Sequence, residues 1–186
     1  MQAEVIAIGT ELLLGQTIDS NSAWIGERLA ELGVTLRRKT VVADRVDDVL
    51  AALNAVMADT QWVIITGGLG PTQDDLTKGI LNDYFGGRLV YHPEIYRHIE
   101  ALFARMGRVP GALNREQAEI PDVCEWLPNA VGTAPGMLFE RQGQRFVSIP
   151  GVPFEMKHIM ESHVLPRIRA ESDAHIEHRF FMVQGI

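Results

Sequence analysis

Short apolar runs alternate with amphipathic stretches along most of this chain. "AEVIAIG" (3–9) is an unbroken apolar run closed by glycine, the signature of a strand buried on both faces. From Asp19 to Leu32, Ile25, Leu29 and Leu32 recur at helical spacing. Asp19 or Ser20 suits the cap and Gly33 the residue after the end. "VTLRRKTVVA" (34–43) alternates and is rich in β-branched residues, so it predicts a strand nearer an edge. Asp44 opens a second helical pattern (Val46, Val49, Leu50, Leu53, Val56), with Asp47 placed as in a capping box. "WVIIT" (62–66) is a third strand, and after a glycine-rich stretch a helix runs to Gly86–Gly87. Another follows Pro93, with Ile95, Ile99, Leu102 and Met106 facing inward.

Beyond residue 107 the periodicity weakens. Residues 107–121 read as loop with one helical turn, "CEWLP" as a short strand, and residues 136–150 as a hairpin turning at Gln142–Gly143. Pro153 at N1 starts a helix reaching about Ile168, and "HIEHRFFMVQGI" (175–186) reads as a strand leading into something further. Strand–helix alternation with short connections predicts an α/β fold: a mainly parallel sheet with helices on both faces. In such sheets the loops leaving the C-terminal strand ends share one side, where ligands bind. "GTELLLGQTIDSNS" (9–22), "ADRVDD" (43–48), "TGGLGPTQDD" (66–75) and "IPGVPFEM" (149–156) all belong there.

Composition narrows the chemistry. At 186 residues, 46% hydrophobic and 22% charged, the chain has enough material for one well-filled domain. The net charge of −7 argues against a nucleic-acid partner. One cysteine, Cys124, excludes an internal disulfide. With no signal-like start and no membrane-length apolar run, the expected compartment is the cytoplasm, with no membrane partner. The six histidines form no HExxH pattern and read as ordinary structural or surface residues.

"TGGLGPTQDD" is the most pointed signal. It is neither a Walker A loop, since no glycine precedes Lys78, nor a dinucleotide fingerprint, since it follows the third strand. It keeps what those loops share: glycines that let backbone approach a ligand at a helix N-terminus. Gly67, Gly68, Gly70 and Thr72 are the candidate phosphate contacts. The adjacent Asp74 and Asp75 would repel a phosphate unless a divalent cation such as Mg²⁺ bridges carboxylate and phosphate. The plainer reading is a turn followed by acids that complement a helix dipole. Glu11, inside an apolar stretch where burial would be costly, points to a site role. Asp44 is a candidate too, with an N-cap role as the alternative. Asn21, Asn129, Gly132 and Thr133 are candidate substrate contacts, although "PNAVGTAPG" is equally good turn chemistry. Glu155 is accounted for by dipole complementarity alone.

Five ordered motifs carry a family resemblance: "GTELLLGQ-x-x-D-x-N", "TGGLGPT-x-DD-x-T", "N-x-x-QA-x-x-P", "N-x-x-GTAPG" and "IPGVP-x-EM". Over residues 2 to 170 the chain resembles the N-terminal domain of CinA-type proteins (competence/damage-inducible protein A), itself similar to the molybdopterin-binding domains of MogA and MoaB. The resemblance implies a three-layer α/β/α sandwich over residues 1–170. Residues 171–186 would start a following linker or second domain, such as the deamidase domain that often follows, and the chain would stop short of it. In the CinA branch the domain is associated with a metal-dependent pyrophosphatase acting on ADP-ribose, with Mg²⁺, Mn²⁺ or Co²⁺. In the molybdopterin branch it is associated with molybdopterin adenylylation or metal insertion. A non-catalytic regulatory role is a third possibility. The resemblance implies a homo-oligomer, dimer or trimer. It also makes Asp75, Asp44 and Glu11 the catalytic candidates, with Asp75 and Asp74 on the metal. Leu69 in "GGLG" favours the CinA branch. One departure stands out: where the family usually has lysine in "N-x-K-QA", this chain has Glu116, which shifts the available positive charge to Arg115.

Overall fold

The computed structural model describes residues 1–70 and 76–172. Strands β1 (Gln2–Ile8), β2 (Thr35–Val42), β3 (Trp62–Thr66), β6 (Glu125–Leu127), β7 (Gly136–Arg141) and β8 (Gln144–Ile149) form one six-stranded sheet in the order β2-β1-β3-β8-β7-β6. β2, β1, β3 and β8 run parallel, and β7 and β6 close the sheet antiparallel. A separate two-stranded antiparallel sheet pairs β4 (Leu89–Tyr91) with β5 (Glu119–Pro121). The sequence pattern did not disclose these two strands, because three residues are too few to show alternation.

Side-chain alternation along the strands splits the core in two. Ile6, Ile8, Val63, Ile65, Phe139 and Phe146 face helices α3 (Val46–Asn54), α4 (Thr77–Phe85) and α5 (Pro93–Arg105). The intervening Val5, Trp62, Ile64, Val147 and Ile149 face α2 (Ser20–Glu31) and the C-terminal helix. The result is the expected α/β/α sandwich. β2 lies at the sheet edge with alternating burial, as its mixed polarity predicts. The hairpin turns at Gln142, whose positive φ of 53° belongs to a two-residue turn matched to strand twist.

Three local readings are corrected. Asp44 does not cap α3; Arg45 holds that position in extended conformation, and no side chain caps the helix. Met106 does not face inward: α5 ends at Arg105, leaving Met106 exposed past the last buried contact at Ile99. The helix from Pro153 runs on to Glu171 as α7 (Pro153–Ile159), a π-helical turn (Met160–Val164) and α8 (Leu165–Glu171). Pro166 supplies the cause, since it has no N–H to give the carbonyl one turn back, and a wider turn upstream absorbs the mismatch. Residues 175–186, read as a strand, lie outside the described residues.

At the N-terminal strand ends sits a buried acid that sequence reasoning passed over. Glu4 is 1% exposed and accepts from Arg38 Nε (2.7 Å), Met57 N (2.9 Å) and Thr60 Oγ1 (2.7 Å). Those donors compensate its desolvation and tie β1 to β2 and to the turn before β3.

Candidate functional site

Because β1, β2, β3 and β8 are parallel, their C-terminal ends open on one edge of the sheet. A cleft of about 500 Å³ lies there, walled by Gly9 and Glu11 after β1, Asp44 after β2, Gly67 to Gly70 after β3 and Gly151 after β8. Glu155 from the first turn of α7 and Gln117 complete it from two sides.

Gly67 shows why the third strand must end in glycine. Its φ is +108°, and a Cβ there would stand 2.1 Å from the Ile8 carbonyl oxygen, so β1 and β3 can close at this point only without a side chain. Its N–H donates to Ile149 O (3.1 Å). That corrects one expectation: the Gly67 amide is committed to the sheet, leaving Gly68 and Gly70 as the glycines of the loop's ligand face. Thr72, Asp74 and Asp75, which bore most of the phosphate and metal expectations, lie outside the described residues.

The acids behave differently from expectation. Glu11 is not buried: it lies on the short helix α1 (Thr10–Leu13), which leaves Leu13 and Leu14 exposed as well, so its carboxylate reaches the cleft from solvent. The Asp44 carboxylate turns back on that helix, where Oδ2 accepts from Thr10 N (2.7 Å) and Thr10 Oγ1 (3.0 Å). Asp44 therefore fixes the loop bearing Glu11. Among the described residues, no group of three His, Cys, Asp or Glu side chains comes together as a metal-ligand set.

Glu155 is the residue that sequence reasoning undervalued. Burial pushes its carboxyl above the usual carboxylate range, partly offset by the hydrogen bond from Asn129 Nδ2 (2.6 Å). Gly132 makes this contact possible, since a Cβ there would lie 1.9 Å from Glu155 Oε2. The "N-x-x-G" motif is thus a seat for Glu155. Asn129 is corrected accordingly: Nδ2 serves Glu155 and Ala134 O (2.9 Å), while Oδ1 accepts from Val131 N (3.2 Å), so the amide has nothing left for a substrate. The signal available in sequence was an acid in the first turn of the helix that follows a strand end, six residues beyond Ile149, in line with an asparagine-glycine turn.

Asn21 joins strand ends, donating to Gly151 O (2.7 Å) and Thr66 Oγ1 (3.3 Å). Arg115 is not a cleft residue: its guanidinium lies 4.4 Å from the Tyr91 ring centroid, a cation–π contact on the outer surface. Lys78 reaches position 116 from α4, its ammonium donating to Glu116 O. Burial lowers the Lys78 pKa, opposed by the Glu119 and Glu116 carboxylates.

Beside the cleft, sharing Thr133 with it, is an apolar cavity of about 200 Å³ between Ile95, Trp126 and Pro128. Gly132 also lines it, and His98 closes one side with Nε2 bonded to Gly132 O (3.2 Å), a structural role as expected for this histidine. Burial pushes the Cys124 thiol up to about 12, and Sγ donates to Pro121 O (3.1 Å), both of which disfavour the thiolate. No helix among the described residues is long and apolar enough to cross a membrane.

Comparison with known proteins places this geometry. Residues 4–170 match the family described as "Probable molybdopterin binding domain". A CinA-like protein of Cytophaga hutchinsonii is 45% identical over 185 residues, which is 99% of this chain and 44% of that protein. The chain spans less than half the length of the curated relatives it matches. The crystal structure of CinA from Thermoplasma acidophilum, titled as of unknown function, superposes with a TM-score of 0.80 at 32% identity, covering 90% of this chain and 97% of that one. MoaB, a molybdopterin biosynthesis enzyme of Thermus thermophilus, shares the fold with a TM-score of 0.57 at 17% identity, covering 91% and 96% of the two chains. A parallel sheet ending in this glycine-walled cleft is thus the MogA/MoaB fold, and the chain belongs to the CinA-like proteins within the molybdopterin-binding domain family.

Proposed function

We propose that this domain binds a phosphate-bearing ring compound of the molybdopterin type, its anionic part against the Gly68–Gly70 loop and its ring toward Trp126. One observation carries the reading: a cleft edged by glycine backbone shares Thr133 as a wall with an apolar cavity lined by an aromatic side chain. Family membership and the name of the Thermus relative support the ligand class. The test is calorimetric titration with a phosphorylated pterin, followed by repetition on Trp126→Ala. Submillimolar binding that weakens in the variant is the expected result; no binding by the wild-type chain refutes the reading.

A second reading is hydrolysis of a pyrophosphate bond in the same cleft, with ADP-ribose as substrate and Mg²⁺, Mn²⁺ or Co²⁺ added. What favours it is the pair of acids on the cleft: Glu11, open to solvent, and Glu155, whose raised pKa suits a proton donor. Release of AMP, lost in both Asp75→Asn and Glu155→Gln, is its signature. Absence of AMP with every metal rejects it and leaves the binding reading standing.

A further inference from the structure

Gln117 presents a donor that no described residue uses. The residue is 6% exposed, and its Nε2 has no hydrogen-bond partner. Its orientation follows from a chain of contacts anchored in backbone. The Gly111 N–H donates to Asn114 Oδ1 (3.0 Å), which leaves Asn114 Nδ2 as the donor to Gln117 Oε1 (3.2 Å). Gln117 Nε2 is thereby the unengaged end of an amide whose residue lines both the recess and the cleft. A buried amide left unpaired is costly, and native proteins retain such groups rarely and for cause.

The recess holds about 40 Å³, room for the oxygens of one anionic group, and it meets the cleft at Leu69 and Gly70. Lys78 lines it too. Among the described residues its ammonium makes one contact, to Glu116 O, which leaves N–H donors on a half-buried cation. Among the described residues no acidic side chain lines the recess; the remaining described walls are Ile120, Ala134, Pro135 and Met137. Donors, a cation and apolar walls select an anion over a neutral or cationic group. Burial that depresses the Lys78 pKa acts in the same direction, because a bound anion restores the electrostatic support that desolvation removed.

We propose that Gln117 and Lys78 form an anion subsite at the end of the cleft, taking the phosphate oxygens of the bound ligand beyond the Gly68–Gly70 loop. This rests on the reading that the cleft binds a phosphate-bearing compound, and it assigns the cleft's polarity: phosphate toward Gln117, ring toward Trp126.

The test compares wild type, Gln117→Leu and Lys78→Met, each titrated with a phosphorylated pterin and with the same pterin lacking phosphate, while unfolding of the unliganded proteins is followed by heat. Each substitution is expected to weaken the phosphorylated probe by about tenfold or more and leave the other unchanged. Unliganded Gln117→Leu loses the acceptor of Asn114 Nδ2 together with the unpaired donor, and is expected to melt within a few degrees of wild type. A purely structural glutamine would weaken both probes alike. Wild-type affinity retained in both variants, or equal losses for both probes, overturns the subsite while the cleft reading survives. Failure of wild type to bind either probe overturns both.

Discussion

Replacing Gly132 with alanine tests the seat of Glu155 directly. The backbone at Gly132 is not in the left-handed region, so the substitution acts through space alone. The added Cβ would stand 1.9 Å from Glu155 Oε2 and 2.6 Å from Asn129 Nδ2, where real contacts do not occur. Asn129 is pinned to Ala134 O, so Glu155 must swing away and surrender its 2.6 Å hydrogen bond. A hydrogen bond to a charged group contributes about 1.5–3 kcal/mol. Alanine returns about 0.5–1 kcal/mol by restricting the unfolded chain. The net expectation is a loss of about 1.5 kcal/mol, which for a chain of this size lowers Tm by about 3–6 °C. Urea unfolding of four proteins, wild type, Gly132→Ala, Glu155→Ala and the double variant, separates clash from other causes. Without the carboxylate the methyl meets only Asn129, so Gly132→Ala should cost less than half as much in that background. Equal cost in both backgrounds would refute the account of Gly132 as the space Glu155 occupies.

Three further outcomes follow from the same geometry. The Glu155 pKa is raised above 4.5, so the folded state holds that proton more tightly than the unfolded chain. Its contribution to stability is therefore full below the unfolded value and is lost as pH rises through the folded one. Glu155→Gln should gain stability relative to wild type as pH goes from acid to neutral, measured as the difference in Tm; a constant difference would contradict the buried-carboxyl account. Glu4→Ala strands Arg38 and the Thr60 hydroxyl and should cost about 3 kcal/mol in chemical denaturation, while ligand affinity at the cleft stays unchanged. Asp44→Ala frees Thr10 N and Oγ1 and should cost about 1 kcal/mol in the same assay; ligand affinity should fall as the Glu11 loop loosens.

The sheet was legible because its strands announce themselves. "VIAI" and "WVII" can only be buried on both faces, and parallel order follows from the helices between them. The cleft was legible for the same reason: strand ends sharing a direction share an edge. What escaped was everything decided by contacts distant in sequence. Arg115 and Lys78 are both basic and both near the motif, but only packing reveals that tyrosines hold the first while the second enters the recess. Asp44 and Thr10 lie 34 residues apart, so a helix cap was the local reading although the partner belonged to another loop. Asn129 and Gly132 read as turn chemistry because turn chemistry is what their spacing encodes, and their second duty toward Glu155 needs α7 in place.

β1 carries Glu4 near its start and hands over to Gly9 just past its end. Five residues of extended chain separate those positions by roughly 17 Å. Perturbations farther apart than about 10 Å combine almost independently. The molecule therefore behaves as though a foundation and a workbench were joined by stiff rods. Reinforcing the Glu4–Arg38 corner should harden the protein against heat at no cost to whatever is held at the opposite edge, and that corner is where an engineer seeking a tougher version would begin.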